Sequence, residues 1–447
     1  MRRELRAALV LLGALLTVPL AAGLVQRPSA PADPVRQVVQ SCDSARVAAE
    51  RDCYESALLA RLREEGAGAA LVLLGRLADL DDDVRRDGHM YAHGIGLAAL
   101  SSPDQVGRVF ASCTPAWQSG CYHGVIQSYF LATRRAGAAL STASVDALCA
   151  DYRGREGQYW LLFQCTHGLG HGLTMFHGHD LRLALTSCDL LSRQSERESC
   201  YGGAFMENIV NVTHPHHVAD GGDGGSGHDG HADHSAHAAP AADAHAGHGD
   251  HSAHGAAPAQ IASAAPWRAL DPADLHYPCS VVDAKYLDAC YTIQTAAMLY
   301  HTRQNVGRTA RECGRAPERV RRTCYESLGR DLSTIAGRDV RDAVRLCDFA
   351  DAPFRPACNV GVVQSVINMN TDPAEGVPYC RAVTDSPSKR ACYIVVGQQA
   401  SGLANGAERR EQACARAEPA FVDICLGREA REIGSVTVTA RPLGRSR

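Results

Sequence analysis

The sequence lacks the short motifs that mark the common catalytic and cofactor-binding folds. It contains no phosphate-binding Walker loop, no glycine-rich dinucleotide fingerprint after a strand and no G-x-S-x-G nucleophile elbow. It also has no His-Glu-x-x-His zincin motif, no C-x-x-C-H haem attachment and no C-x-x-C pair. None of these motifs therefore assigns an activity, and thiolate metal sites are disfavoured.

Large aromatic residues are scarce, with 8 Phe and 3 Trp in 447 residues. Alanine and leucine abound instead, which favours helices over sheets. A hydrophobic content of 45% and a charged content of 21% indicate a mostly globular chain. The net charge of −4 gives no basic field of the kind that attracts nucleic acid, so we expect no nucleic-acid partner.

The N-terminus has the pattern of an export signal. Arg2, Arg3 and Arg6 precede the uncharged run 7–25, and small residues near Ala22 permit cleavage. The run is also close to the ~20 residues that span a bilayer, so residues 1–30 form either a signal peptide or a single N-terminal membrane anchor. Both alternatives place the rest of the chain outside the cytoplasm, as a periplasmic or secreted protein.

The eighteen cysteines fall into nine consecutive pairs, and five of the pairs have the same spacing. The pairs are Cys42 and Cys53, Cys113 and Cys121, Cys149 and Cys165, Cys188 and Cys200, Cys279 and Cys290, Cys313 and Cys324, Cys347 and Cys358, Cys380 and Cys392, and Cys414 and Cys425. Because exported proteins fold under oxidising conditions, we predict one disulfide within each pair. Closing so short a loop contributes about 2–3 kcal/mol of stability per bridge.

The second cysteines of these pairs define an internal repeat. From Cys290 onward they recur at steps of 34, 34, 34 and 33 in residue number, and most are followed by tyrosine. The step from Cys53 to Cys121 is twice as long, which implies one repeat without cysteines, aligned on Asp87. Such a period is the length of a helical hairpin, so we predict an all-α fold. Its architecture would be an α/α solenoid of about ten ~34-residue hairpins, nine with an intra-repeat disulfide.

Composition divides the rest of the chain into four parts. Residues 35–210 and 267–430 are helical repeats, 211–266 form an insertion, and 431–447 form a basic, flexible tail. The insertion carries eleven histidines among Gly, Ala, Asp and Ser, and it is too polar to bury a core, so we predict a disordered loop. Its imidazoles offer weak metal sites that protonation empties below pH ~6.5.

The histidines of the N-terminal half come into register when the repeats are aligned on the second cysteine. His89 and His93 form one pair four residues apart on a helix face, His167 and His171 form another, and His123 lies on the helix between them. A carboxylate on the next helix can complete a metal site or orient a ligand. We predict a transition metal ion (Zn, Cu or Fe) bound by His89, His93, His123, His167, His171 and Glu207. The alternative is tight helix packing with histidines that are exposed or hydrogen-bonded.

Glycines accompany these histidines, although each costs ~1 kcal/mol relative to Ala within a helix. We therefore expect close backbone approach there, by another helix or by a ligand. The later repeats carry no histidine two residues past the second cysteine, so packing of the repeat does not demand it. His177 and His179, in the turn after the third of these helices, either extend the site or are solvated.

Three functions remain open from the sequence. The first is an exported metal-binding protein in which the insertion collects metal ions and the histidine cluster holds one. The second is an extracytoplasmic metalloenzyme with Fe, Cu or Zn on the histidines and an open coordination position, its catalytic residues unassigned. The third is a protein–protein interaction scaffold with a partner on the helical surface.

Overall fold

A computed structural model describes residues 33–43, 47–137, 139–155, 159–213, 267–337, 339–403 and 405–428. All regular structure in these ranges is helical and no β-strand occurs in them, which confirms the predicted all-α class. The predicted export signal at 1–30, the insertion beyond residue 213 and the tail at 431–447 lie outside the described residues. No helix in the described part of the chain is both long and apolar enough to cross a membrane.

Twenty-one α-helices, numbered in chain order, make up most of the described structure. They are α1 (Pro34–Cys42), α2 (Val47–Glu65), α3 (Ala67–Ala78), α4 (Asp82–Arg86), α5 (Gly88–Ala99), α6 (Val106–Ser112), α7 (Gly120–Arg135), α8 (Thr142–Ala147), α9 (Tyr159–Phe176), α10 (Leu181–Cys188), α11 (Gln194–Thr213), α12 (Leu287–Tyr291), α13 (Gln294–His301), α14 (Val306–Arg315), α15 (Glu318–Ile335), α16 (Val340–Leu346), α17 (Arg355–Asn370), α18 (Gly376–Ala382), α19 (Ser386–Ser401), α20 (Gly406–Cys414) and α21 (Val422–Leu426). Short 3-10 segments lie at Pro103–Gln105, Trp117–Ser119, Ala150–Tyr152, Ala284–Tyr286, Cys347–Phe349, Ala352–Phe354, Pro373–Glu375 and Pro419–Phe421.

Several of the short helices begin at a side-chain cap. Asp180 accepts hydrogen bonds from two backbone N–H groups of α10, and Asp339 does the same for α16. Asn305 caps α14. Such caps satisfy N–H groups that have no partner within the helix and contribute ~1 kcal/mol each. They fix where the first helix of a hairpin starts, and hence where its cysteine falls.

Nine disulfides confirm the predicted pairing, with Cα–Cα distances between 5.3 and 5.8 Å. The bonds join Cys42 to Cys53, Cys113 to Cys121, Cys149 to Cys165, Cys188 to Cys200, Cys279 to Cys290, Cys313 to Cys324, Cys347 to Cys358, Cys380 to Cys392, and Cys414 to Cys425. Most of them link the end of a short helix to the helix that follows it. Nine such bonds indicate an oxidising, extracytoplasmic compartment.

The tyrosine that follows the second cysteine is buried wherever it occurs. Its hydroxyl often donates a hydrogen bond to an acidic residue in a link between helices. Tyr325, for example, donates to Asp351 in the link of the next hairpin at 2.9 Å. A buried hydroxyl needs such a partner, so the tyrosine ties its helix to a neighbouring link.

The longer helices pack side by side in two runs, α5–α7–α9–α11 and α15–α17–α19. Glycines lie where the backbones meet. A Cβ atom on Gly124 would lie 2.1 Å from the carbonyl oxygen of His93, and one on Gly203 would lie 1.9 Å from that of His167. No side chain fits at these distances, so the contact requires glycine. Of the two explanations predicted for the glycines, a ligand or a neighbouring helix, the structure shows the helix.

These contacts correct the alignment of the repeat that lacks cysteines. His167 and Glu326 each lie two residues past a second cysteine, and their carbonyl oxygens face Gly203 and Gly361 of the next helix. A Cβ atom added to either glycine would lie 1.9 Å from that oxygen. The carbonyl of His93 has the same role, so the position equivalent to the cysteine is Tyr91 and the predicted Asp87 was wrong. The even spacing misled because the span between Cys53 and Cys121 divides unequally, at Tyr91 and not at its midpoint.

A second set of glycines gives the same alignment. Four glycines five residues past this position meet the backbone of the next helix: Gly96 against Cys121, Gly170 against Cys200, Gly329 against Cys358 and Gly397 against Cys425. The corrected register places His93, His123 and His167 at one repeat position. His89 lies one helical turn before it and His171 one turn after it.

The C-terminal helices also contact the N-terminal ones. The hydroxyl of Thr371, at the end of α17, donates a hydrogen bond to the carbonyl oxygen of Pro115 at 3.1 Å, across 256 residues of sequence. Helix α17 packs in addition against the turn Trp117–Ser119, which leads into α7. The two runs of long helices therefore border a common cavity, and the histidines lie on one side of it.

Candidate metal site

The structure brings together all five predicted histidines. Helix α5 supplies His89 and His93, α7 supplies His123, and α9 supplies His167 and His171. The ring centres of His123, His167 and His171 lie 5.0, 5.0 and 5.1 Å apart. His89 lies 5.9 Å from His123, and His93 lies 6.2 Å from His171. The cluster is thus one continuous group of imidazoles from three adjacent helices.

Burial disfavours protonation of two of these imidazoles, His123 and His167. His93, His123 and His171 are each 3% exposed and His167 is 9% exposed, whereas His89 is half-buried at the edge of the cavity. Desolvation, followed by repulsion from the neighbouring rings, lowers the pKa of His123 well below its usual value. The same causes lower the pKa of His167 to about 3. Neutral imidazole is the form that binds metal ions, so His123 and His167 are in the form that can act as ligands at neutral pH.

Hydrogen bonds fix which ring nitrogen carries the proton. Nδ1 of His89 donates to the carbonyl oxygen of Trp117 at 2.9 Å, and Nδ1 of His171 donates to the Glu207 carboxylate at 2.9 Å. Nε2 of His123 donates to Oε1 of Gln164 at 3.0 Å. In each case the other nitrogen bears the lone pair. Metal-binding histidines are held in this way, by a carbonyl or carboxylate on the far side of the ring.

Two of these lone-pair nitrogens are buried without a hydrogen-bond partner. Nδ1 of His123 and Nε2 of His171 make no hydrogen bond to any described residue. A buried polar atom left unsatisfied costs about 1–3 kcal/mol. A metal ion would satisfy both atoms at once, and nothing in the packing of the helices does.

The ring positions match coordination of one ion, but the ring orientations do not. With a metal–nitrogen distance near 2 Å, ring centres lie roughly 3 Å from the ion and about 5 Å from one another. The rings of His123, His167 and His171 have this spacing, yet those of His123 and His171 are stacked at 17°. Rotation about χ2, which is soft in histidine, turns a ring about an axis through its centre. Coordination of one ion therefore needs rotation of at least one of these rings.

The tightest cluster of metal-type ligands is elsewhere. Among the described residues, the one trio of His, Cys, Asp or Glu whose ligand atoms lie within 4.8 Å of one another is Asp43, Glu50 and Asp81. The trio is partly exposed, and Asp81 accepts a hydrogen bond from the Tyr54 hydroxyl at 2.7 Å. That bond and the capping of α4 account for Asp81, and exposed acidic groups commonly cluster without an ion, so we assign the trio no ligand.

Glu207, predicted as a ligand or an orienting group, lies beneath the histidines on α11 and is 1% exposed. Its Oε2 accepts from Nδ1 of His171 at 2.9 Å and from the amide of Gln127 at 2.7 Å. Its Oε1 lies 3.7 Å from Nε2 of His179. The contacts favour the orienting role. His179 thus adjoins the site, whereas His177 hydrogen-bonds Ser187 at 2.8 Å.

A cavity of about 250 Å³ opens beside the cluster, and sequence reasoning missed it. One side is lined by His89, His123 and His167 together with Trp160 and Phe163. The other side comes from α15 and α17, which belong to the C-terminal run of helices. Phe163 could have been predicted from the sequence, because it lies four residues before His167 on the same helix face. The residues of the opposite side could not, because no local sequence pattern encodes which distant helices meet.

No protein-family model matches the chain, and comparisons with curated proteins and with solved structures give no match either. The chemistry of the site is therefore inferred from its own residues: five clustered imidazoles, one buried carboxylate that contacts them and a neighbouring cavity.

Proposed function

We propose that this is an exported, periplasmic or secreted helical-repeat protein that binds a transition metal ion through its N-terminal histidine cluster. We further propose that its hairpins form an α/α solenoid of about ten repeats. The glycine contacts that recur between successive long helices support this architecture. The disulfides support the compartment.

One observation carries the metal-binding proposal. His123 and His171 present buried lone-pair nitrogens that have no hydrogen-bond partner among the described residues, in rings whose centres lie 5.0 Å apart. Each such atom weakens the fold by about 1–3 kcal/mol, so two of them in neighbouring rings favour a bound ligand. A bound ion turns this cost into a gain. We assign His123, His167 and His171 to the ion, with His89 and His93 as further ligands or as ligands of a second ion.

The ion we propose is zinc, copper or iron, since all three accept imidazole ligands. Glu207 holds His171 in the required tautomer, as carboxylates behind metal-bound histidines do. The eleven histidines of the insertion would collect ions from solution. Both ends of the insertion lie near this site: α11 ends at Thr213, and the amide of Asn208, next to Glu207, donates to the carbonyl of Ala269 at 2.8 Å.

Metal analysis of the whole chain tests the proposal. In a variant whose eleven insertion histidines are changed to serine, we expect one or two ions per chain to survive dialysis against a weak chelator. Absorption and electron paramagnetic resonance spectra would identify copper or iron. A variant that retains no metal would restrict binding to the insertion and refute the internal site.

A metalloenzyme is the second candidate, because the cavity reaches three of the proposed ligands, His89, His123 and His167. A catalytic ion needs an open position facing its substrate, and the cavity offers space for one beside these histidines. A scaffold function with incidental histidines would instead leave the protein metal-free after every loading attempt.

A further inference from the structure

We propose that the cavity beside the histidines binds a small, uncharged ring compound that carries hydroxyl or carbonyl groups. This inference deepens the proposed function, because it names the class of molecule that would meet the metal site. It depends on that function only for the contact with metal. Binding to the cavity itself is a separate property of the chain.

Size sets the first limit. Drug-sized ligands occupy pockets of about 300–1,000 Å³. The cavity here has about 250 Å³, the space of roughly eight water molecules. It therefore suits a single ring with one or two substituents.

The second limit on the ligand is its charge, because the charged side chains of the cavity are already paired with one another or with neighbours. Nε of Arg330 donates to Asp331 at 2.9 Å, and Arg330 also donates to the carbonyl of Thr292. Glu326 forms an ion pair with Arg322 at 2.8 Å. A charged ligand would find no uncompensated partner and would lose its hydration, which is costly.

The remaining lining residues set the third limit. Trp160 and Phe163 form an aromatic surface, with ring centres 5.8 Å apart and planes 31° apart. The indole nitrogen of Trp160 is buried and makes no hydrogen bond to a described residue. Across the cavity, Gln364 and Asn368 of α17 contribute amides that can both donate and accept. An aromatic face opposite amides recognises a flat molecule with polar edges.

Three probes of one shape and different charge test the inference: benzamide, benzoate and benzylammonium. Binding to the full chain is measured by saturation-transfer NMR and calorimetry, on metal-free and on zinc-loaded protein. On metal-free protein, we expect benzamide to bind at least about tenfold more tightly than either ion, because both ions lack a counter-charge in the cavity. Equal or tighter binding of a charged probe to metal-free protein, or no binding of any probe, would overturn the proposal.

The matched variants are Gln364→Leu and Gln398→Leu. The two glutamines occupy the same position in successive repeats, but Gln398 is exposed and does not line the cavity. We expect Gln364→Leu to weaken benzamide binding about tenfold and Gln398→Leu to leave it unchanged. If Gln364→Leu fails to fold, Trp160→Phe takes its place in the test. This change removes only the N–H donor and part of the ring, and we expect it to weaken benzamide binding severalfold. Unchanged binding in the folded cavity variants refutes the site.

These outcomes separate the two proposals. Benzamide binding to a chain that never retains metal would support the cavity and refute the metal site. Retained metal without benzamide binding would do the reverse.

Discussion

The N-terminal and C-terminal runs of long helices share one packing scheme and differ in what they place on the cavity. In both, a glycine of one helix meets a backbone carbonyl of the next: a Cβ would lie 2.1 Å from it at Gly124 and 1.9 Å at Gly361. The residues two past the second cysteine differ. His123 and His167 occupy that position in the N-terminal run, and Glu326 and Val360 occupy it in the C-terminal run.

The difference teaches that the histidines are not needed for packing. In the C-terminal half, Thr295 of α13 donates to Asp331 at 2.7 Å, and Ser333 donates to Ser365 at 2.6 Å. In the N-terminal run, His123 and His171 each keep a buried nitrogen without a partner among the described residues. These buried hydroxyls of the C-terminal half thus pair with neighbouring side chains, whereas the two imidazole nitrogens do not.

The largest effect should come from removing the two unpartnered nitrogens. In a His123→Gln/His171→Gln double variant, we expect metal retention to fall by more than about 100-fold, since the central ligands are lost. The matched control is His276→Gln/His301→Gln, which changes the two histidines of the C-terminal half. Inductively coupled plasma mass spectrometry of the dialysed proteins gives the result. Equal metal content in both double variants would erase the contrast between the two runs.

Glycine substitutions should affect both runs alike. Gly124→Ala and Gly361→Ala each drive a methyl group into a carbonyl oxygen, and we expect a loss of about 3 kcal/mol or more in the free energy of unfolding. Gly75→Ala is the control, because nothing lies within 4 Å of its would-be Cβ. That change should be neutral or stabilise by up to ~1 kcal/mol. Urea denaturation with the disulfides intact measures all three, and a large difference between Gly124 and Gly361 would contradict shared packing.

Glu207→Gln should weaken metal affinity by about 10- to 100-fold without abolishing it, because the neutral amide holds the His171 N–H less strongly than the carboxylate does. The comparison is Glu326→Gln, which changes a carboxyl group on the opposite side of the cavity. We expect it to change the metal affinity little. Competition with a chromophoric chelator gives both dissociation constants. If Glu207→Gln binds as tightly as the parent chain, the orienting role is wrong.

The smallest effect concerns acid. The pKa of His167 is about 3 in the folded chain and ~6.5 when unfolded, so the unfolded state takes up more protons as pH falls. Stability is therefore present above pH ~6.5 and is lost progressively towards pH 3, by at most ~1.4 kcal/mol per pH unit for this residue. Thermal melts of metal-free protein between pH 7.5 and 5.5 should show the decline. His167→Gln should flatten it, and a parent chain indifferent to pH in this window would contradict a buried neutral His167.

How much of the structure could be predicted from the sequence depended on how local each feature is. The disulfide pairs and the helical class follow from spacing within one hairpin, and both were predicted correctly. The meeting of His123 with His167 and His171 was also predictable, because adjacent repeats repeat one geometry. The alignment on Asp87 was wrong, because link lengths vary and only the contact between Gly124 and His93 shows the true register.

The cavity lay beyond the sequence for a different reason. Gln364 and Arg330 line the same cavity as the histidines, although α15 and α17 are far from α7 and α9 in the sequence, and no local pattern predicts that they meet. Ring orientation was likewise out of reach. The tautomer of His89 is fixed by the carbonyl of Trp117, a backbone atom that no sequence pattern points to.

Every disulfide in this protein joins a cysteine to the next one along the chain, from Cys42 with Cys53 to Cys414 with Cys425. A polypeptide that emerges lengthwise into an oxidising space exposes its thiols in that same order. An oxidant that couples each newly exposed thiol to the one before it, whenever that thiol is still unpaired, yields the native connectivity. Eighteen cysteines thus need neither a distant partner nor later reshuffling.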